Sequence, residues 1–167
     1  MMIGKVLDGY HSTIFAYGQT GSGKTHTIDG PQDDLGIIPR AIDSLFENIQ
    51  QRNQNERVYK VNLSFLQIYN EGIYDLIDVT GKPLKMRWNK HQQFIVENLF
   101  EGQCRNQNDA MKWWKKGQKN KIMGAHKMNI SSSRSHSILT IRVTSYDMED
   151  PSDLIESKLD IVDLAGS

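Results

Sequence analysis

Hydrophobic positions recur along this chain with two periods, and the period changes where glycine, proline or asparagine intervenes. Ile3, Val6 and Leu7 share one helical face, and Gly9 closes that segment, so residues 2 to 9 read as the end of a helix. Thr13-Ile14-Phe15-Ala16-Tyr17 is a short β-branched and aromatic run that predicts a strand. The turn-forming run Gly30 to Gly36 interrupts the helix that follows, and a second helical stretch opens near Pro39. In it Ile38, Ile42, Leu45, Phe46 and Ile49 fall on one apolar stripe. The polar residues 50 to 57 read as a loop. Tyr59, Val61, Leu63 and Phe65 then alternate with Lys60, Asn62 and Ser64, as in a strand with unequal faces.

The second half is more broken. Ile73 to Ile77 fits a short strand or a helical turn equally, and Thr80-Gly81-Lys82-Pro83 ends it. Residues 83 to 87 and 94 to 99 predict two short strands in an excursion beside the main sheet. Asn106 or Asn108 can cap a helix that carries Asp109 early and Lys115 and Lys116 late, ending near Gly117. Residues 137 to 146 form another strand, with Leu139, Ile141 and Val143 on one face, and residues 158 to 163 the last. Strands alternating with helices make an α/β fold, and no internal repeat or linker divides it.

Composition narrows the function classes. Of 167 residues, 38% are hydrophobic and 24% charged, which is the make-up of a globular domain with a core. Twenty basic residues balance twenty acidic ones, so no overall field attracts nucleic acid, and any charged partner must meet a local patch. The single Cys104 has no partner for a disulfide, and no stretch is apolar for long enough to insert in a membrane. A cytosolic or nuclear chain is the expectation. The first segment opens directly on a helical pattern and the last strand is followed at once by Ser167, so both ends read as cuts through a larger α/β fold.

The chemistry concentrates in three places. Gly18-Gln19-Thr20-Gly21-Ser22-Gly23-Lys24-Thr25 matches the phosphate-loop pattern and follows a predicted strand, as that pattern requires. Its glycines let the backbone turn N–H groups toward phosphate oxygens, Lys24 supplies a cation, and Thr25 supplies a hydroxyl for Mg²⁺. Asn129-Ile130-Ser131-Ser132-Ser133-Arg134-Ser135-His136 packs hydroxyls, a guanidinium and an imidazole into eight residues. Short hydroxyls suit metal and water, and a rigid cation suits developing charge. The last strand delivers Asp163 and then Gly166, an acid for the metal's water shell and a glycine whose N–H can approach a terminal phosphate. Trp113 and Trp114, adjacent on a helix, point about 100° apart and read as packing, since they cannot form one stacking surface.

With these residues in place the chain resembles the kinesin motor family. The loop reads GQTGSGKT, with Tyr17 before it and His26-Thr27 after it; the serine-rich segment reads N-x-x-SSRSH, and the last strand reads DLAGS. Ile37-Ile38-Pro39-Arg40 and Ile68-Tyr69-Asn70-Glu71 also match family segments, so the resemblance runs from about Val6 to Ser167. It implies a P-loop NTPase fold with a mixed twisted sheet and helices on both faces, incomplete at both ends, residues 1–167 being a partial motor domain.

The same resemblance implies MgATP as ligand, hydrolysis coupled to microtubule-based movement, and a cytoplasmic, cytoskeletal place. Residues 129 to 136 would be the first switch and 163 to 166 the start of the second. Gly18, Gln19, Thr20, Gly21, Ser22, Gly23, Lys24, Thr25 and Gly166 would hold nucleotide, with His26 on the adenine side; Thr25, Ser133 and Asp163 would serve Mg²⁺. Ser132 and Ser133 would flank the catalytic water, and Arg134 would pair with a glutamate that in the family follows DLAGS.

The chain also departs from the pattern. Gln67 stands where the family often has glutamate, and His126 where threonine is common. The family's relay and main microtubule-binding helices are not in this sequence, which leaves the excursion with Lys82, Lys85, Arg87 and Lys90 as a possible track contact or a solvated face. A nucleotide-binding remnant or non-motor regulator is the alternative reading. A GTPase lacks support, because no Asn-Lys-x-Asp segment is present. In the family sheet, the strand at 13 to 17 lies between the strand ending at Asp163 and one outside this sequence, so here it is expected at an edge.

Overall fold

The computed structural model describes residues 2–31, 33–52, 56–90, 94–128 and 134–167, with backbone only for 122–128. Two long strands form its frame. β2 (Arg57–Tyr69) and β7 (Ser135–Asp147) pair antiparallel over thirteen residues, Arg57 opposite Asp147 and Tyr69 opposite Ser135. β8 (Leu154–Asp163) returns antiparallel beside β7, and β1 (Ser12–Ala16) lies parallel to β8. On the far side β3 (Gly72–Asp75) and β6 (Gly102–Cys104) both pair with β2. The path β1-β8-β7-β2-β3 is thus a mixed sheet. β4 (Met86–Trp88) and β5 (Phe94–Val96) form a separate two-stranded ribbon, which is the expected excursion.

Period-two patterning builds the buried face. Val61, Leu63 and Phe65 of β2, Leu139, Ile141 and Val143 of β7, and Leu159 and Ile161 of β8 point to the same side and are almost completely buried. Against them pack α1 (Met2–Leu7), α3 (Ile37–Gln51) and α4 (Gln107–Met128), contributing Val6, Ile42, Leu45 and Trp114, while α2 (Lys24–Ile28) adds Ile28. Full burial of such side chains contributes about 1.5–3 kcal/mol each. These four helices share one core with the sheet. β1 stands at the end of the sheet, as expected, with Phe15 64% exposed.

Two local expectations need correction, and two open segments are resolved. The helix expected to end near Gly117 continues to Met128. Gly117 is there for proximity: a Cβ on it would lie 2.3 Å from Phe65 Cδ1, so the missing side chain lets α4 settle on β2. α3 runs on to Gln51 through residues expected as loop, and the Arg52 N–H closes its last turn on the Asn48 carbonyl. β6 was hidden, because three residues with Gly102 first carry no readable period. Residues 73 to 77 resolve into strand and then turn, fixed by Asp75, whose carboxylate accepts the N–H groups of Ile77, Asp78 and Phe100 at 2.7, 2.9 and 2.7 Å. The β2–β3 hairpin turns on Asn70 and Glu71, both with positive φ (46° and 63°), the backbone that a two-residue hairpin of right-handed twist needs.

The tryptophans behave as packing residues. Trp114 is buried, while Trp113 meets Phe100 edge-on at 5.0 Å and its indole N–H donates to the Gln103 carbonyl at 3.3 Å.

Candidate nucleotide site

The parallel pairing of β1 with β8 places the ends of both strands side by side, Ala16 in register with Asp163. Two of the three predicted loci therefore meet, though they are far apart in sequence. From Ala16 the chain enters the loop in left-handed backbone at Gly21 (φ 81°) and Gly23 (φ 91°), conformations in which a side chain would be strained. Gly23 then caps α2, which starts at Lys24.

Lys24 Nζ donates to the carbonyls of Gly18 (2.8 Å) and Gln19 (2.9 Å), so the cation clasps the loop whose pattern reserves it for phosphate. One residue on, Thr25 Oγ1 donates to Asp163 Oδ2 at 2.7 Å. The other carboxylate oxygen, Asp163 Oδ1, is buried without a hydrogen-bond partner among the described residues. A hydroxyl and a carboxylate already in contact, with one oxygen unsatisfied, make an oxygen donor set that fits a magnesium ion. No three His, Cys, Asp or Glu side chains cluster as metal ligands among the described residues, and this donor set does not depend on such a cluster.

The residues after β8 lie against the loop. The Ser167 N–H donates to the Gly18 carbonyl at 3.2 Å, and a Cβ on Gly166 would lie 2.2 Å from Thr20 Oγ1. A side chain there would force Thr20 or the backbone to shift. His136 joins the serine-rich segment to the same place, its Nδ1 accepting the Ala165 N–H at 3.0 Å. Gln67, a departure from the family pattern, is buried and donates to Ser135 Oγ at 2.9 Å, bracing the same junction from β2.

Sequence reasoning missed a buried ionic group beneath the loop. Lys121 Nζ lies 3.3 Å from Asp163 Oδ2, 3.6 Å from Asp29 Oδ2 and 3.0 Å from Ser137 Oγ. Burial pushes the Asp29 carboxyl above the usual carboxylate range, an effect that Lys121 opposes. The signal was present: Ala110, Trp114, Gly117 and Lys121 follow at i, i+4, i+7 and i+11, which puts a lysine on the buried stripe of α4.

Of the remaining predicted residues, Ser132 and Ser133, with Asn129 to Ser131, lie outside the described residues. Arg134 follows them and is exposed. His26 lines an open depression of about 190 Å³ with Thr27, Asp34, Leu35, Gly36, Ile37 and Arg40.

A phosphate loop between a sheet strand and a helix, with a strand-end aspartate bonded to the loop's threonine, defines a P-loop NTPase. The comparisons with known proteins narrow the class. The kinesin motor domain model matches residues 1–167, and the chain belongs to that family. It is 39% identical to the kinesin-like protein KIP2 of Eremothecium gossypii, over 99% of this chain and 26% of that protein. It is 42% identical to centromere-associated protein E of Homo sapiens, over 99% of this chain and 6% of that protein. A solved structure of a fast kinesin superposes with a TM-score of 0.92 at 34% identity, covering 99% of this chain and 47% of that one. The chain thus spans about a quarter or less of these two sequence relatives. No described helix is long and apolar enough to cross a membrane.

Proposed function

We propose that this chain is the nucleotide-binding part of a microtubule motor, and that it takes MgATP on Gly18–Thr25 for hydrolysis. The observation that carries this reading is the 2.7 Å bond between Thr25 and Asp163, which ties the phosphate loop to the start of the second switch. Kinesin membership supports ATP as the nucleotide and the microtubule as the track.

Each residue then has a task. Lys24 exchanges the Gly18 and Gln19 carbonyls for phosphate oxygens, a substitution of one set of acceptors by a more strongly charged one. Thr25 and Asp163, with Ser133, would hold a magnesium ion, which would supply positive charge to offset that of the phosphates. The Gly166 N–H approaches the terminal phosphate from the position where it now abuts Thr20. Ser132 and Ser133 order the attacking water, Arg134 pairs with a switch carboxylate, and His26 borders the adenine. Hydrolysis in such a site is mainly positioning and charge stabilisation, so the junction of His136 with Ala165 matters because it connects the end of the first switch to the second.

The track contact falls to the β4–β5 ribbon within this chain. It exposes Met86, Trp88 and Phe94 beside Lys82, Lys85 and Lys90, a mixed apolar and basic surface outside the main sheet. The protein would accordingly be found on cytoplasmic microtubules.

Single-turnover hydrolysis by the full-length protein, with and without microtubules, tests the reading. Faster phosphate release on microtubules supports it. Binding of nucleotide without hydrolysis in either condition would replace it with the remnant or regulator. In the same assay Arg134→Ala is expected to keep affinity and lose cleavage.

A further inference from the structure

The geometry points to a second interaction surface, on the outer face of α4, that docks an acidic unstructured peptide segment of a partner protein. Lys112, Lys115, Lys116 and Lys119 recur at i, i+3, i+4 and i+7, all four are exposed, and they lie opposite the stripe of Ala110, Trp114 and Gly117 that faces the core. At the helical rise they span about 10 Å, close to the screening length at physiological salt, so the four charges act as one field.

Four such lysines stand together on one helix face with no counter-charge among the described ion pairs. Arg40, Arg52, Arg57, Arg87, Lys121, Arg142 and Lys158 each pair with a carboxylate of this chain. All twenty carboxylates lie among the described residues, and no described ion pair reaches any of the four lysines. The acid nearest them on the same helix, Asp109, is engaged at the helix start, where it accepts the Arg105 N–H at 3.0 Å. Two of the four are also held in place: Lys112 and Lys116 stand 5.5 and 5.7 Å from the centre of the Trp113 ring. That ring is fixed by Phe100 and by the Gln103 carbonyl, so part of the ordering cost of binding is already met.

The chemistry selects the partner. A membrane-binding helix needs large apolar residues exposed beside its lysines, and α4 exposes none among its described side chains. A single nucleic-acid strand needs aromatic faces free for stacking, and Trp113 is half-buried with both lysines over it. Carboxylates on a flexible acidic segment match a row of ammonium groups without either feature.

Fluorescence anisotropy of a labelled oligoglutamate peptide with the full-length protein, at about 50 mM salt, tests this. The expected result is saturable binding that weakens as salt rises. It should fall roughly tenfold or more when Lys112, Lys115, Lys116 and Lys119 all become Gln, return in the four-arginine variant, and survive in Lys5→Gln/Lys60→Gln. Lys115→Glu alone should weaken it in the same direction, a check that does not rely on the quadruple variant folding. Equal binding by wild type and the quadruple variant overturns the proposal, as does equal loss in the Lys5/Lys60 control. Tighter binding of phosphatidylserine vesicles or oligouridylate than of the peptide overturns the choice of partner. Salt-sensitive dimerisation in sedimentation velocity, abolished by the same variants, would reassign the surface to a second copy.

Discussion

Thr25 and Asp163 stand 138 residues apart and share a hydrogen bond of 2.7 Å, the one side-chain link between the phosphate loop and the last strand among the described residues. Because the same aspartate holds Lys121, the loop and α4 are coupled through one carboxylate. Asp163→Asn removes the charge and keeps the shape. The half-saturating Mg²⁺ concentration for nucleotide binding should rise about 10- to 100-fold, with little change in affinity measured in chelator. Equal loss in both conditions would mean that the residue supports the fold and not the metal.

Lys24→Ala removes the cation that clasps Gly18 and Gln19 and is reserved for phosphate. Hydrogen bonds to charged groups contribute about 1.5–3 kcal/mol, so affinity for a fluorescent ATP analogue should fall roughly 10- to 100-fold in equilibrium titration. Unchanged affinity would remove the loop from the binding site.

Gly166→Ala places a methyl group 2.2 Å from Thr20 Oγ1 and 3.0 Å from the Thr20 amide. Thr20 or the backbone around Gly166 must shift to admit it. Misplacement by about 1 Å costs on the order of 100-fold in rate, so single-turnover cleavage should slow by that factor while nucleotide still binds.

Gly117→Ala sets helix propensity against packing. Alanine gains about 1 kcal/mol in an exposed helix, but here its Cβ would fall 2.3 Å from Phe65 Cδ1. Overpacking costs about 1–3 kcal/mol, so the melting temperature should drop, and Phe65→Leu should restore part of it in the double variant. A rise in melting temperature would show that α4 does not rest on β2 as described.

Cys104 is a buried thiol whose pKa burial pushes up to about 12. The folded state holds this proton more tightly than the unfolded chain, so the associated stability is complete below the thiol's ordinary value of 9.0 and is lost as pH climbs toward 12. Alkylation of the native protein by iodoacetamide at neutral pH should be much slower than in denaturant. Comparable rates in both would place the thiol in solvent.

How much was legible depended on distance along the chain. Strand β2 and helix α3 announce themselves in Tyr59-Val61-Leu63-Phe65 and Ile38-Ile42-Leu45-Phe46-Ile49, because side-chain periodicity is a local consequence of backbone geometry. The phosphate loop is equally local, since left-handed glycines and a following helix are what its backbone demands. Together with the serine-rich and DLAGS segments, it carried the kinesin resemblance before any fold was seen.

Tertiary structure decided the rest. Gly117 reads as a helix stop until Phe65 fills the space above it, and Lys121 reads as one more lysine until Asp29 and Asp163 converge on it. The parallel register of Ala16 with Asp163 is set by the packing of the whole sheet. Local sequence fixes what each segment can be, through dihedral preference and periodicity. Which segments meet is fixed only when the buried faces of all of them are satisfied at once, and that condition brought Thr25 to Asp163.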